Sequence, residues 1–200
     1  MAIVVIGGHS RNIGKTSVVA GLIAALPAYN WTAFKITQFG HTGHPAQSER
    51  AGTRWTIIER DSSGKGDTSR FLVAGAKAAF LVEAEEGRLR EAMPAIQEKF
   101  AEAENVIVES NSILEFIQPD LYITVLDPAT EDFKASAQKY LEKADAVVMH
   151  ESAVGLQWQG ISREGIAGRP VFRIVPPPYV NADLVEFVSR RLKVKSGSLV

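Results

Sequence analysis

Gly8-His9-Ser10-Arg11-Asn12-Ile13-Gly14-Lys15-Thr16 is the stretch whose reading decides the fold. It ends in the Gly-Lys-Thr of a phosphate loop, a glycine-rich turn that joins a first strand to the helix it opens. Glycines let backbone amides turn inward. Those amides and the positive end of the helix surround a β-phosphate, the lysine reaches the β- and γ-phosphates, and the following hydroxyl ligates Mg²⁺. Lys15 and Thr16 take the last two roles, and nucleotide contacts are expected from Gly8, Ser10, Arg11, Asn12, Ile13, Gly14, Lys15, Thr16 and Ser17. The spacing departs from the standard motif, because five residues rather than four separate Gly8 from Gly14. A plain turn into a helix would require the glycines, the Gly-Lys-Thr and the strand-to-helix context to coincide by chance. His9 is expected to be solvated or bonded to backbone, with no chemistry of its own.

The context agrees with the motif. Ile3–Ile6 reads as a buried strand before the loop, and Lys15–Leu26 as a helix with Val18, Val19, Leu22, Ile23 and Leu26 on one face. Further short apolar runs recur at Thr32–Ile36, Ala78–Val82, Val106–Glu109, Leu121–Leu126, Ala146–Met149 and Val171–Val175. Helical segments between them give the βαβ rhythm of a parallel sheet buried on both faces. One is Arg88–Ala101, with Leu89, Met93, Ile96 and Phe100 on one face and Pro94 as its weak point. Asn181 is placed to cap a last helix carrying Leu184, Val185, Val188 and Leu192. The expected fold is α/β, a mainly parallel sheet of about seven strands flanked by helices, the P-loop NTPase fold. It forms one domain over residues 1–192, followed by a polar tail at 193–200. The segment Gln38–Gly66 breaks the rhythm with glycines, polar residues and a possible short helix around Ser48–Arg60. An excursion of that length is either a lid over the site or an ordinary loop.

Composition narrows the partners. In 200 residues, 22 Lys plus Arg nearly balance 23 Asp plus Glu, so no global field attracts nucleic acid or anionic lipid. The absence of cysteine rules out disulfides, thiolate catalysis and cysteine-ligated metals, and suits a reducing cytoplasm, the expected location. The opening run Ala2–Ile6 lacks a basic leader and Val18–Pro27 is too short for a bilayer, so neither a signal peptide nor a membrane anchor is expected.

The loop with its five-residue spacer resembles that of dethiobiotin synthetase, and the likeness continues at Phe34-Lys35-Ile36-Thr37-Gln38-Phe39-Gly40 and Val106-Ile107-Val108-Glu109. A second similarity is to the molybdopterin-guanine-dinucleotide biosynthesis protein B family, through Asp67-Thr68-Ser69-Arg70 and Ala74-Gly75-Ala76. Both belong to the SIMIBI class of P-loop proteins. The resemblance implies a parallel sheet flanked by helices, commonly a homodimer, with nucleotide at the carboxyl ends of the strands. It also implies that Lys35 faces the phosphates and the substrate, and that Glu109 helps hold the metal. Ser110-Asn111-Ser112-Ile113 stands where dethiobiotin synthetase has a glycine-rich loop.

The expected catalytic residues are therefore Lys15 and Lys35, and the expected Mg²⁺ ligands Thr16, Glu109 and Asp67. Mg²⁺ is usually held by one or two carboxylates with phosphates and waters, and a carboxylate ending the apolar run Val106–Val108 needs a cation, a hydrogen bond or water. Asp67-Thr68 reads first as a helix N-cap before Phe71–Ala76, with Arg70 a turn further on able to face phosphate. Base recognition falls to His150-Glu151-Ser152 and Pro176-Pro177-Pro178-Tyr179, and without an Asn-Lys-x-Asp signature ATP is preferred over GTP. Two functions fit. One is an ATP-dependent enzyme acting on a small acceptor in cofactor metabolism, dethiobiotin-synthetase-like. The other is a nucleotide-binding adaptor for a protein partner, with slow hydrolysis.

Overall fold

The computed structural model describes residues 1–40, 54–63, 66–152, 158 and 166–196. Its β-branched, apolar runs form one eight-stranded sheet in the order β3-β4-β2-β5-β1-β6-β7-β8. The strands are β1 Ile3–Gly8, β2 Trp31–Phe39, β3 Trp55–Glu59, β4 Ala78–Glu85, β5 Asn105–Glu109, β6 Leu121–Leu126, β7 Ala146–His150 and β8 Val171–Ile174. Every neighbouring pair is parallel except β3 with β4. β1 lies between β5 and β6, so the chain winds outward from it in both directions. That places a topological switch beside the carboxyl end of β1, where open α/β sheets bind ligands.

The helices are α1 Lys15–Ala25, α2 Ser69–Val73, α3 Leu89–Ala101, α4 Ala135–Leu141 and α5 Ala182–Ser196. α1, α2 and α5 cover one face, packing Val18, Leu22, Phe71, Leu184 and Val188 against Val4, Ile6, Ala33, Ile107 and Ile123. α3 and α4 cover the other, with Ile96, Phe100 and Tyr140 against Val5, Phe34, Val82 and Val108. Alternation along each strand divides its side chains between the two cores. α1 buries the face expected of it, and Gly21 sits so close to Val180 that a Cβ there would lie 2.8 Å from a Val180 methyl. Pro94 lies inside α3, whose Leu89, Ala92, Met93, Ile96 and Phe100 are buried, so packing compensates for the missing backbone bond. Asn181 caps α5 as expected, its Oδ1 accepting from Leu184 N–H at 2.9 Å.

Three expectations change, and one helix is added. Trp55–Glu59, inside the segment expected to be helical around Ser48–Arg60, is β3, an antiparallel edge strand on β4. Trp55, Thr56, Ile57 and Ile58 are aromatic and β-branched, and pairing gives their backbone the partners a loop would lack; residues 48–53 lie outside the described ones. β2 runs through Phe39, so Gln38 belongs to the sheet and not to the excursion. The polar stretch from Lys193 begins inside α5, which continues to Ser196. α4 had no counterpart in the sequence reading. Among the described residues no helix is long and apolar enough to cross a membrane.

Candidate nucleotide site

The loop from Gly8 to Thr16 leaves the carboxyl end of β1 and is held from three sides. Its backbone needs left-handed conformations at Asn12 (φ 56°) and Gly14 (φ 86°), which a glycine and an asparagine tolerate best. From the β5 side, the Asn111 amide pairs with Gly8 as a strand would: Gly8 N–H donates to Oδ1 at 3.0 Å, and Nδ2 donates to Gly8 O at 2.9 Å. From the β6 side, the segment 127–134 grips His9 and Ser10. Ser10 Oγ donates to Asp132 Oδ2 at 2.7 Å, and Lys134 N–H donates to His9 O at 2.9 Å. From the β7 side, His150 Nε2 donates to Ile13 O at 3.0 Å, and the Tyr179 ring lies where a Cβ on Gly14 would have to go.

His9 is fully buried, and its ring packs in a triangle with Phe133, stacked at a centroid distance of 5.1 Å, and Trp158, tilted at 4.8 Å. Nδ1 donates to Asp132 O at 2.7 Å while Nε2 accepts from Asp127 N–H at 3.0 Å, so the hydrogen-bond network assigns the neutral Nδ1–H tautomer. Burial drives its pKa below the ordinary histidine value. The histidine is thus bonded to backbone, as expected, and serves as the anchor of the loop.

The expected site residues meet at the start of α1. Thr16 Oγ1 donates to Glu109 Oε2 at 2.7 Å, and both residues are buried. The Lys35 ammonium lies 3.3 Å from Glu109 Oε1, 3.2 Å from Thr16 Oγ1 and 2.8 Å from Asp67 Oδ2. Strand register explains the meeting, because Lys35 pairs with Glu109 across β2 and β5 and both side chains turn towards α1. Lys35 is not at a strand end, since β2 continues four residues further; it reaches the site because β5 and β1 stop short of β2. Arg70 donates to Ser17 Oγ at 3.1 Å, bringing α2 to the same corner. The cap expected of Asp67-Thr68 is not made. α2 has no side-chain cap bond, and Asp67 faces Lys35, whose hydrogen bond holds the carboxyl below the usual range.

Lys15 donates to Ser10 O. Its pKa is lowered to about 8, first by burial, against the pull of Glu109, with Lys134, Lys35 and Arg11 adding repulsion. Burial and Arg11 likewise lower Lys134. Several cations thus surround an anion-shaped loop. Asn111, Asp132, Lys134 and the positions of His150 and Tyr179 on the loop were not singled out as loop contacts by the sequence. Their one signal is that they end or follow β5, β6, β7 and β8, at the carboxyl ends of the strands where ligands bind.

The metal expectation fits the donor set. Thr16, Glu109 and Asp67 present hard oxygens at one corner, and Mg²⁺ takes few protein ligands and completes its shell with phosphates and water. Among the described residues no group of three or more His, Cys, Asp or Glu forms an all-protein metal cage.

A mainly parallel sheet wound around β1, with the glycine loop entering α1, is the P-loop NTPase fold. No family model matches the sequence, and no curated protein matches it. Among solved structures, HypB from Helicobacter pylori in complex with nickel is similar with a TM-score of 0.54 at 15% identity, over 100% of this chain and 91% of that one. LpxK from Aquifex aeolicus in complex with ATP is similar with a TM-score of 0.49 at 19% identity, over 86% of this chain and 53% of that one. MobB from Bacillus subtilis follows with a TM-score of 0.43 at 18% identity, over 96% and 98%. The chain therefore spans about half the length of the LpxK it matches.

Proposed function

We propose that this protein binds the Mg²⁺ complex of a nucleoside triphosphate, ATP in preference to GTP, in the loop from Gly8 to Ser17, and uses it to activate or transfer a group onto a small acceptor. The observation that carries this reading is the convergence of Thr16, Glu109, Lys35 and Asp67, from four separate elements, at the mouth of the phosphate loop. Backbone amides of the loop and the start of α1 hold the phosphates, and Lys15, already repelled by neighbouring cations, gains an anion. Mg²⁺, when bound, would supply charge neutralisation of the phosphates, and Thr16, Glu109 and Asp67 would hold it. Lys15 and Lys35 then stand on either side of the charge that develops in the transition state.

Tyr179 and His150 meet edge to face, with centroids 6.0 Å apart, beside Ile13 and Gly14. That supports the loops after β7 and β8 as the wall for the base. The acceptor is read as a cofactor precursor, as in dethiobiotin synthetase. An adaptor with slow hydrolysis shares the nucleotide site and differs in what it serves.

Calorimetry with Mg²⁺-ATP and Mg²⁺-GTP tests the nucleotide reading. Binding to the wild type that Lys15→Ala removes is the expected result, and no heat with either nucleotide at millimolar concentration would overturn it. Hydrolysis stimulated by a small metabolite separates the enzyme from the adaptor.

A further inference from the structure

Lys35 stands where the metal of the proposed site would have to be. Its ammonium contacts Asp67 Oδ2 at 2.8 Å, Thr16 Oγ1 at 3.2 Å and Glu109 Oε1 at 3.3 Å. Those residues are the whole expected protein ligand set. Thr16 has committed its proton to Glu109 Oε2, so a metal would need an oxygen lone pair of Thr16, and a Lys35 N–H takes one. Mg²⁺ sits ~2.0–2.1 Å from each of six oxygens and repels any cation among them. An ammonium touching all three residues fills that space.

We propose that Lys35 is a tethered placeholder for the divalent cation. This rests on the nucleotide reading above and adds an order of events to it. Without nucleotide, Lys35 keeps Glu109 and Asp67 compensated and holds the ligands together. When Mg²⁺ arrives with the triphosphate, the ammonium moves from the carboxylates onto the terminal phosphate. The lysine cannot leave, because its backbone lies between β4 and β5 in the middle of the sheet. Its side chain can swing, since 17% of it is still exposed.

Two consequences separate this role from an ordinary ion pair. Free divalent metal must expel a cation present at high local concentration and offers it no new anion, so metal alone binds weakly. The triphosphate offers that anion, so metal and nucleotide each strengthen the binding of the other.

The test uses Mn²⁺ alone, titrated into the full chain without nucleotide at pH 8, with free Mn²⁺ read by electron paramagnetic resonance. Lys35→Met is expected to bind Mn²⁺ about tenfold or more tightly than the wild type, in the range of ordinary site coupling. The gain should disappear in Lys35→Met/Glu109→Gln. Lys35→Gln, which keeps a donor for the carboxylates and drops the charge, is the second variant should Lys35→Met fold poorly. Mn²⁺ affinity unchanged in whichever of these variants folds, or a wild type that already binds Mn²⁺ tightly without nucleotide, would overturn the proposal. Calorimetry of wild type with Mg²⁺-nucleotide is read separately. If it fails while the Lys35 variants still gain Mn²⁺, the nucleotide reading falls, and with it the move onto phosphate, while the competition of Lys35 with the metal stands.

Discussion

Replacing Lys15 by Met should make the nucleotide-free protein more stable while destroying nucleotide binding. The ammonium is held charged in a mostly buried position among Lys134, Lys35 and Arg11, and its pKa falls from 10.5 to about 8. At ~1.4 kcal/mol per pKa unit, keeping that charge at neutral pH costs about 3 kcal/mol. Met keeps most of the aliphatic packing but loses the bond to Ser10 O, worth about 1 kcal/mol, which leaves a net gain of roughly 2 kcal/mol. In a domain of this size that raises Tm by roughly 4–8 °C. The pH dependence has a definite sign. Below about pH 8 both folded and unfolded wild type hold the proton and the whole cost is present. Between about 8 and 10.5 the unfolded chain holds more protons, so the wild type gains stability as pH rises, and above 10.5 the cost has vanished. Urea denaturation of both proteins at pH 7.5 and 10.5 measures the difference. The variant should lead at the lower pH and lose its lead at the higher. Mg²⁺-nucleotide at a hundred times its Kd should restore the wild type's advantage by about 2.7 kcal/mol. A Lys15→Met protein less stable than wild type at pH 7.5, or a difference indifferent to pH, would refute the reasoning.

His9 is buried neutral, and its lowered pKa means the unfolded chain binds the proton first as pH drops through about 6.5. His9→Gln should therefore cost roughly 1–3 kcal/mol at pH 7.5 through lost bonds and stacking, with the gap to wild type narrowing by pH 5 in urea titrations. Asn111→Ala strips partners from both Gly8 N–H and Gly8 O, and should lower stability by about 2 kcal/mol and weaken nucleotide binding in calorimetry. If Tyr179 lies beside the base, Tyr179→Ala should weaken ATP several-fold and leave inorganic tripolyphosphate unchanged; equal losses on both would show that the ring merely supports Gly14.

Much of the scaffold is legible in the sequence because burial on both faces of a parallel sheet leaves an unbroken apolar run, and each of the expected runs became a strand. β3 was hidden for the opposite reason. It is short, partly exposed and antiparallel at the sheet edge, so its Trp-Thr-Ile-Ile run stands between polar segments without a helix to frame it. The corner of Thr16, Lys35, Glu109 and Asp67 was legible as one metal and phosphate site only through the loop motif and the family resemblance. What sets Lys35 beside Glu109 is the register of β2 on β5, which no local pattern encodes.

The five-residue spacer shows the same limit most clearly, because its length can be counted in the sequence while its use depends on contacts across more than a hundred residues. One residue beyond the common loop has to be accommodated, and His9, with Ser10 and Ile13, is buried in the protein while Arg11 and Asn12 stay exposed. The His9 ring packs in a triangle with Phe133 and Trp158, its nitrogens bond the backbone of Asp127 and Asp132, and the His9 carbonyl accepts from Lys134 N–H. The longer loop is therefore bolted to the segment after β6 rather than left slack, and the same bolt brings Lys134 within electrostatic reach of Lys15 and Arg11. Those repelling charges cost stability in the empty protein, only partly offset by Glu109 and Asp132, so in the proposed nucleotide complex the added residue is expected to supply a cationic second wall for the phosphates.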